Sequence, residues 1–382
     1  MPEYGRKEFC NTEMTVNFDI RTIESGAAAE VYISATPEKK APPEVHLREM
    51  FAGIADIIRS RKAHILEERI FAAENITDLV RKVRLEIYGD IDDGVNASIL
   101  LGKEGILGPV LGAQVHAVIS QPAPEVITFK GLACGRILRL PQQTFLTASA
   151  ISASGFNNAS EQARATLEAS ESILSQFGAD LFSIARTWMW LGDILCWYDE
   201  FNAARNRFFT ERGAIGKAGK RSMPASTGIG LALADGGPCA MDLVAVLEPR
   251  GSIQYLQAGG RQGCALEYGS AFSRASKAIT PAGQTVFVSG TASIDVSGAT
   301  IHQGDIAAQI RTTIENVRAV LTDLRCEDKD VVQIVAYCKS TDVEQVLNDV
   351  KRDVGWPWVT AICDICRPEL LFEIEAAAMP RN

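Results

Sequence analysis

Residues 285–295 read Thr-Val-Phe-Val-Ser-Gly-Thr-Ala-Ser-Ile-Asp, a run of β-branched and aromatic residues that a glycine interrupts. Such a run is typical of a strand followed by a bend. Downstream, Gly304-Asp305 precedes apolar residues spaced to lie on one helical face, with Asp305 as the N-cap. An apolar strand follows at 331–337, an amphipathic helix at 342–350, and strands at 359–366 and 370–378. The order strand, helix, strand, helix, strand, strand predicts one complete module.

The middle of the chain repeats this module in the same order. Three stretches echo later ones: Phe145-Leu-Thr-Ala-Ser-Ala and Phe287-Val-Ser-Gly-Thr-Ala, Gln162-Ala-Arg-Ala-Thr-Leu and Gln309-Ile-Arg-Thr-Thr-Ile, Pro224-Ala-Ser-Thr-Gly-Ile and Pro357-Trp-Val-Thr-Ala-Ile. A period of roughly 130 residues indicates duplicated domains and not a solenoid, whose repeats run about 20 to 50 residues. A weaker alternation precedes them, with helices predicted at 44–59 and 76–85. We therefore predict three modules, at residues 1–128, 129–250 and 251–382, of which the first is degenerate.

The composition excludes several functional classes. The chain has 382 residues, of which 47% are hydrophobic, and this length can bury a sizeable core. The net charge of −9 argues against a nucleic-acid surface, which requires a basic patch. The first residues lack the apolar run of a signal peptide, and the uncharged segment 105–124 contains Gly108-Pro109, which suits buried strands better than a membrane span. We predict a cytoplasmic protein that binds neither nucleic acid nor membrane.

The cysteines and glycines give no sign of a metal or a cofactor. The nine cysteines are scattered, which predicts reduced thiols. Cys363-Asp-Ile-Cys366 has the spacing of a metal-binding pair, but no second pair accompanies it, and on a strand residues three apart face opposite ways. Gly259-Gly260-Arg-Gln-Gly263 lacks the Lys-Ser/Thr of a phosphate loop and predicts a turn. We therefore predict no metal and no cofactor.

The C-terminal module resembles a known family. The likeness to the Rid/YjgF family of small enamine-handling proteins is carried by Phe287-Val-Ser-Gly-Thr, Gly304-Asp305, Gln309, Thr313, Asn316, Tyr337 and Glu369-Leu-Leu-Phe-Glu-Ile-Glu375-Ala. A further likeness to the chorismatases, which split chorismate into pyruvate and a ring acid, is carried by Cys366-Arg-Pro-Glu-Leu-Leu-Phe-Glu373, Tyr268-Gly269, Phe272-Ser-Arg274-Ala and Pro224-Ala-Ser-Thr-Gly-Ile229. The resemblance implies an α+β fold of tandem, chorismate-mutase-like modules, with mixed sheets packed on helices in a pseudo-trimeric barrel and pockets between modules. A homo-oligomer is left open.

Two carboxyl groups are candidates for acid catalysis. Glu373 and Glu375 lie two residues apart on one strand, so both side chains face the same way. This face is either an exposed edge or the wall of a pocket. In a pocket, burial would raise the pKa of a carboxyl and let it act as a general acid. The resemblance implies Glu373 as the acid, with Glu375 beside it.

Several side chains are candidates for binding a small anionic carboxylate substrate. Arginine suits a dicarboxylate because its planar fork binds a carboxylate with two hydrogen bonds. The resemblance implies Arg274 with Ser273 as contacts and Cys366 as a pocket-lining residue that steers product choice. Arg205 and Arg212 flank Phe208-Phe209 and lie either at the second carboxylate or on a solvated helix face. The remaining candidates are Tyr337, Tyr268 and the pair Trp188-Met-Trp190, which lacks the asparagine that chorismatases tend to show between the tryptophans.

Three functions are compatible with these residues. The first is cofactor-independent cleavage of the enolpyruvyl ether of chorismate, or of a related dicarboxylate, to pyruvate plus a hydroxybenzoate or dihydroxycyclohexadienoate, a reaction of secondary metabolism. The second is hydrolysis of enamines or imines, although the position expected to hold an arginine carries Trp358 or Val359. The third is a non-catalytic scaffold or ligand sensor.

Overall fold

The first of three sheets is formed mainly by the N-terminal part of the described chain. A computed structural model describes residues 14–156, 158–216 and 222–380, so the ends of the first and third predicted modules lie outside the described residues. The sheet has the order β1-β2-β5-β3-β4-β11. Its strands are β1 (Val16–Glu24), β2 (Ala28–Pro37), β3 (His64–Ala73), β4 (Ser98–Gly102), β5 (Val110–Ser120) and β11 (Ala232–Leu233). Helices α1 (Pro43–Arg61) and α2 (Thr77–Tyr88) pack on it through a common apolar core.

The second sheet has the order β10-β9-β12-β8-β7-β6. Its strands are β6 (Glu125–Phe129), β7 (Leu132–Leu140), β8 (Gln143–Ser152), β9 (Ile184–Leu191), β10 (Ala225–Ile229) and β12 (Cys239–Glu248). Helices α3 (Ala159–Ser175) and α4 (Tyr198–Glu211) cover its outer face and share its core. Strand β11 lies between β10 and β12 in the chain but pairs with β4, so this segment ties the second unit to the first sheet.

The third sheet has the order β13-β14-β15-β18-β16-β17. Its strands are β13 (Gln254–Leu256), β14 (Ala275–Thr280), β15 (Gly283–Ala292), β16 (Val331–Cys338), β17 (Trp358–Ile362) and β18 (Phe372–Ala378), and its helices are α5 (Ile306–Asp323) and α6 (Thr341–Val350). The carboxylate of Asp305 accepts a hydrogen bond from the backbone N–H of Ala308, which confirms the predicted N-cap.

The three sheets share one topology. In each, an antiparallel hairpin is followed by a helix, a strand, a second helix and a strand parallel to the previous one, and the last long strand inserts in the middle. This confirms an α+β fold of tandem modules with mixed sheets on helices. Within the described ranges, no sheet closes on itself as a barrel. The module boundaries at residues 128 and 250 stay a prediction.

The equivalence of the second and third sheets differs by two residues from the one predicted by aligning the two repeats in the sequence. That alignment sets Asp242 opposite Glu373 and Val244 opposite Glu375. In the structure, Asp242 lies at the bulge between β8 and β12, and Glu375 lies at the corresponding bulge between β15 and β18. The side chains of Gln162 and Gln309 donate to the carbonyls of Gly236 and Glu369, each six residues before that carboxylate. Asp242 is therefore the counterpart of Glu375.

Candidate active site

A pocket lies between the second and third units. Its lining combines three arginines and one glutamate with aromatic and small residues. The lining residues are Tyr198, Arg205, Ser226, Gly228, Tyr268, Ser270, Phe272, Arg274, Gly290, Ala292, Ile294, Cys366, Arg367, Leu370 and Glu373. Helix α4 and strand β10 supply the first four, and residues 268–373 supply the others. The pocket thus lies between modules, as the resemblance implies.

Glu373 presents its carboxyl to this pocket from strand β18. Its backbone pairs with Ala292 of β15 on one side and Tyr337 of β16 on the other. The side chain is 5% exposed. Burial, and next the charge of Glu375, raise the pKa of Glu373 to about 8 despite the arginines nearby. A carboxyl with this pKa carries a proton at neutral pH and can act as a general acid.

Two buried guanidinium groups lie close to the ring of Phe272. Arg274 lies 5.4 Å from the ring centroid and Arg205 lies 5.5 Å from it. Arg274 donates hydrogen bonds to the carbonyl of Gly263 at 2.9 Å and to the hydroxyl of Tyr268 at 2.6 Å. The Nε of Arg205 has no hydrogen-bond partner among the described residues. Because Arg205 is buried with an unused donor, it can accept an anionic ligand.

The loop between β17 and β18 supplies Cys366 and Arg367. The strand predicted over 359–366 is too long, because β17 ends at Ile362 and Cys366 lies in the loop. Arg367 donates from Nη1 to the carbonyl of Gly298 at 2.5 Å. Burial raises the pKa of Cys366 to about 12, so its thiol is protonated at neutral pH and is a poor nucleophile. Cys366 can therefore shape the pocket without attacking a substrate.

Tyr268 closes one side of the pocket. A β-carbon at Gly298 would lie 2.3 Å from its ring, so glycine is required there for the ring to pack this closely. Burial raises the pKa of Tyr268, and its hydroxyl accepts the hydrogen bond from Arg274. In this structure, the hydroxyl of Tyr268 occupies a position on Arg274 that a substrate carboxylate can take.

Three predicted substrate contacts lie outside the pocket lining. The hydroxyl of Ser273 donates to the carbonyl of Met223 at 2.5 Å and links backbone segments. Arg212 forms a 2.6 Å ion pair with Glu171 that joins α4 to α3. Tyr337 is fully buried, and its hydroxyl has no hydrogen-bond partner in the described ranges. These positions suit structural contacts better than direct contacts with a substrate.

Glu375 also lies outside the pocket, in a second buried cluster. Its Oε1 accepts from Trp188 Nε1 at 2.7 Å and from Arg69 Nη1 at 3.4 Å, and its Oε2 accepts from Arg186 Nη2 at 2.8 Å. The guanidinium groups of Arg69 and Arg186 lie 3.7 and 4.7 Å from the Trp188 ring centroid. Glu375 and Trp188 therefore contact each other and not the pocket. Trp190 is buried in the hydrophobic core.

Sequence reasoning missed several residues of the pocket. Arg367 follows Cys366 directly and lay within the quoted motif, so its charge was a usable signal. Tyr198 begins helix α4, and Ser226 and Gly228 lie on β10. Ser226 and Gly228 belong to the stretch 224–229 that carries part of the chorismatase likeness, so that stretch was a usable signal. Nothing in the spacing of Tyr198 relates it to Glu373, because a different module supplies it.

Two further observations bear on metal binding and membranes. Across the described residues, no three His, Cys, Asp or Glu side chains are grouped as a metal site requires. Cys363 is buried beside β17, and Cys366 lies in the following loop. None of the helices in the described ranges combines the length and the apolar character needed to span a bilayer.

Comparison with known proteins identifies the C-terminal unit. Residues 268–379 match the family model described as endoribonuclease L-PSP, the Rid/YjgF domain. A RutC family protein of Pyrococcus abyssi is 34% identical over 68 residues, which cover 18% of this chain and 54% of that protein. The predicted resemblance to the Rid/YjgF superfamily is confirmed.

Longer matches extend the likeness to the chorismatases. A protein of Streptomyces hygroscopicus named 3-hydroxybenzoate synthase is 26% identical over 246 residues, which cover 57% of this chain and 69% of that protein. A crystal structure of a chorismatase superposes with a TM-score of 0.61 at 19% identity, covering 94% of this chain and all of the other. At that identity the superposition establishes the fold.

Proposed function

This chain is a chorismatase-like protein of the Rid/YjgF superfamily, and we propose that it cleaves the enolpyruvyl ether of chorismate or of a closely related dicarboxylate. The products are pyruvate and either a hydroxybenzoate or a dihydroxycyclohexadienoate. The observation that carries the proposal is the buried carboxyl of Glu373, whose pKa of about 8 keeps it protonated in a pocket with three arginines. The likeness to a 3-hydroxybenzoate synthase supports the reaction class.

The arginines bind the two carboxylates of the substrate. Arg274 and Arg205 both lie near the ring of Phe272, and each carries a planar guanidinium group. One carboxylate displaces the hydroxyl of Tyr268 from Arg274. Arg367, at the same pocket, is the third cation available, and it takes the role that sequence reasoning offered to Arg212.

Glu373 starts the reaction as a general acid. Its proton goes to the terminal methylene carbon of the enolpyruvyl group, whose π electrons form the new C–H bond and leave an oxocarbenium ion. Water adds to this cation, the resulting hemiketal returns a proton to Glu373, and the ether C–O bond breaks to give pyruvate and the ring alcohol. Alternatively, the neighbouring ring hydroxyl adds to the cation and gives its proton to the Glu373 carboxylate, which forms a cyclic ketal. The bond between that oxygen and the ring then breaks as the adjacent ring carbon loses its proton, and the ring becomes aromatic. The freed oxygen becomes the carbonyl of pyruvate as the original ether bond breaks, and the phenol oxygen takes up the proton that the ring lost, without net uptake of water.

The surrounding residues lower the activation barrier because they are preorganised. The arginines and the buried acid are fixed by packing before the substrate binds, so little reorganisation is needed when the positive charge develops. Cys366 lines the pocket as a protonated thiol and contributes to the choice between water and the ring hydroxyl. No cofactor enters any of these steps.

The other two functions are weaker. Enamine or imine hydrolysis requires an arginine at the position of Trp358 or Val359, and both residues belong to strand β17. A non-catalytic ligand sensor would not require the protonated acid that Glu373 supplies. Neither function accounts for the buried carboxyl among arginines.

The test is to incubate the purified protein with chorismate, after dialysis against a chelator, and to follow pyruvate and the ring product. We expect one pyruvate for each chorismate consumed, and mass spectrometry of the ring product then identifies the branch. A parallel assay offers 2-aminoacrylate. Release of pyruvate from 2-aminoacrylate but not from chorismate would favour the deaminase. Turnover of neither compound would favour the ligand sensor.

A further inference from the structure

A buried cluster of charges adjoins the pocket and has no task in the proposed reaction. It consists of Glu375, Arg186, Arg69 and Glu67, and the ring of Trp188 lies close to both guanidinium groups. Arg69 also donates to Glu67 at 2.7 Å, and the exposed fraction of each charged residue is 5% or less. Two arginines and two glutamates meet where β3, β9 and β18 come together, and the buried carboxyl of Asp242 on β12 interacts with Arg69 and Glu67. Burying such a set is costly, so its retention calls for an explanation.

Glu375 is a carboxylate in this cluster. Its contacts with Trp188, Arg186 and Arg69 all come from N–H groups, so it acts only as an acceptor. Two of the three donors are the guanidinium groups of Arg186 and Arg69. A fixed negative charge therefore lies inside the protein, on the strand that carries the acid.

The geometry connects this charge to Glu373 in two ways. The two glutamates are alternate residues of β18, which places them about 6.5 Å apart along the strand and on the same face. In addition, Arg186 Nη2 donates both to Glu375 and to the hydroxyl of Thr227 at 2.5 Å. The methyl group of Thr227 lies 3.3 Å from the place that a β-carbon at Gly290 would take. The carboxyl of Glu373 lies against that same place. Thr227 thus contacts Arg186 of the cluster and lies close to Gly290, next to the acid.

We propose that Glu375 is a positioning residue whose buried negative charge keeps Glu373 in its protonated form until the proton passes to the substrate. This inference rests on the proposed function for its role in turnover, but its electrostatic part concerns the protein alone. Glu375 does not line the pocket that Glu373 faces. It acts through its neighbour on the strand.

The other groups around Glu373 either oppose the effect of the Glu375 charge or carry no charge themselves. The charged and titratable side chains around it are Glu375 on β18, Arg186 on β9, Arg274 before β14, Tyr198 and Arg205 on α4, Tyr268, and Cys363, Cys366 and Arg367 after β17. Tyr198, Tyr268, Cys363 and Cys366 are neutral at physiological pH because burial raises the pKa of each. The arginines of the pocket favour loss of the proton from Glu373. Carboxylates of a bound substrate neutralise those arginines, which leaves the charge of Glu375 to hold the proton in place.

The test is a pH titration of Glu373 by carbon NMR, in protein labelled at the side-chain carboxyl carbon of glutamate. The resonance of Glu373 is the one that disappears in Glu373→Gln. We expect the midpoint in the wild type to lie near the pKa of about 8 and to fall by at least about one pH unit in Glu375→Gln, a tenfold change in proton affinity. Glu68→Gln is the matched control, because Glu68 is also buried and paired with an arginine, Arg84 at 2.8 Å. An equal midpoint in Glu375→Gln and the wild type would overturn the inference.

A second variant keeps the inference testable if Glu375→Gln does not fold. Trp188→Phe removes one donor to Glu375 and leaves its charge less compensated, so the midpoint of Glu373 should rise. A midpoint that falls or stays would also overturn the inference. Both titrations use protein without substrate, so they distinguish this inference from the proposed function. If chorismate is turned over, the basic limb of kcat/KM should move with the midpoint in each variant.

Discussion

The carboxyl of Glu373 lies directly over Gly290, so closely that a β-carbon at residue 290 would stand 2.1 Å from its Oε1. We expect Gly290→Ala to displace the carboxyl and to lower turnover by about 100-fold, the loss that a shift of about 1 Å at reacting groups can cause. The measurement is kcat, together with the melting temperature. Gly192→Ala is the control, because its nearest neighbour is an ordinary 3.5 Å contact and it lies outside the pocket. Equal kcat values for both variants would contradict this placement of the acid.

The arginines should separate into those that bind substrate and one that does not. We expect Arg274→Ala and Arg205→Ala to raise KM by about 10- to 100-fold, since a hydrogen bond to a charged group contributes about 1.5–3 kcal/mol. The effect on kcat should be smaller, because a carboxylate anchor acts in the ground state and the transition state alike. Steady-state kinetics with chorismate measures both constants.

Arg212→Ala is the matched control for these two variants. It removes an arginine from the same helix as Arg205, but Arg212 is paired with Glu171 away from the pocket. We expect its KM to stay within about twofold of the wild type, as for a surface ion pair. A KM raised as much as in Arg205→Ala would place the second carboxylate at Arg212, as the sequence allowed.

The protonated acid should leave a mark on stability. In the folded protein the pKa of Glu373 is about 8, against an ordinary value of 4.5. Between these values the folded state holds a proton that the unfolded state releases, so this residue makes the free energy of unfolding fall as pH rises from about 4.5 to about 8. Below and above this window its contribution is constant.

Urea unfolding at about pH 5 and about pH 8.5 measures this contribution. We expect the wild type to lose more stability over this interval than Glu373→Gln, which has no proton to release at residue 373. Equal losses in the two proteins would mean that Glu373 is ionised throughout. Glu68→Gln serves again as the variant with a different buried carboxylate removed.

Much of the fold could be predicted because it depends on local patterns. The helix that begins after Asp305 has a capping side chain and an apolar stripe, and both are properties of adjacent residues. The alternation of strands and helices in the first unit was also visible, although that unit was read as degenerate. The repeat of the module indicated the tandem arrangement.

The register between repeats could not be predicted in the same way. A shift of two residues along a strand leaves every side chain on its original face, so the apolar pattern around Asp242 fits Glu373 and Glu375 equally well. Only the bulges and the glutamine contacts decide between them. The surroundings of Glu375 could not be predicted from the sequence either, because residues distant in the chain supply its partners. Its partners Arg69 and Arg186 belong to other modules.

The measurement that tests the central claim most directly compares pyruvate release from chorismate by the wild type and by Glu373→Gln at the same pH. The amide keeps the size of the side chain and removes its proton, so we expect turnover to fall by about 10²- to 10⁴-fold, the range for loss of a general acid. Chorismate binding, measured by calorimetry, should stay within a few-fold, because the arginines remain. A Glu373→Gln variant that releases pyruvate within about threefold of an active wild type would show that another group supplies the proton.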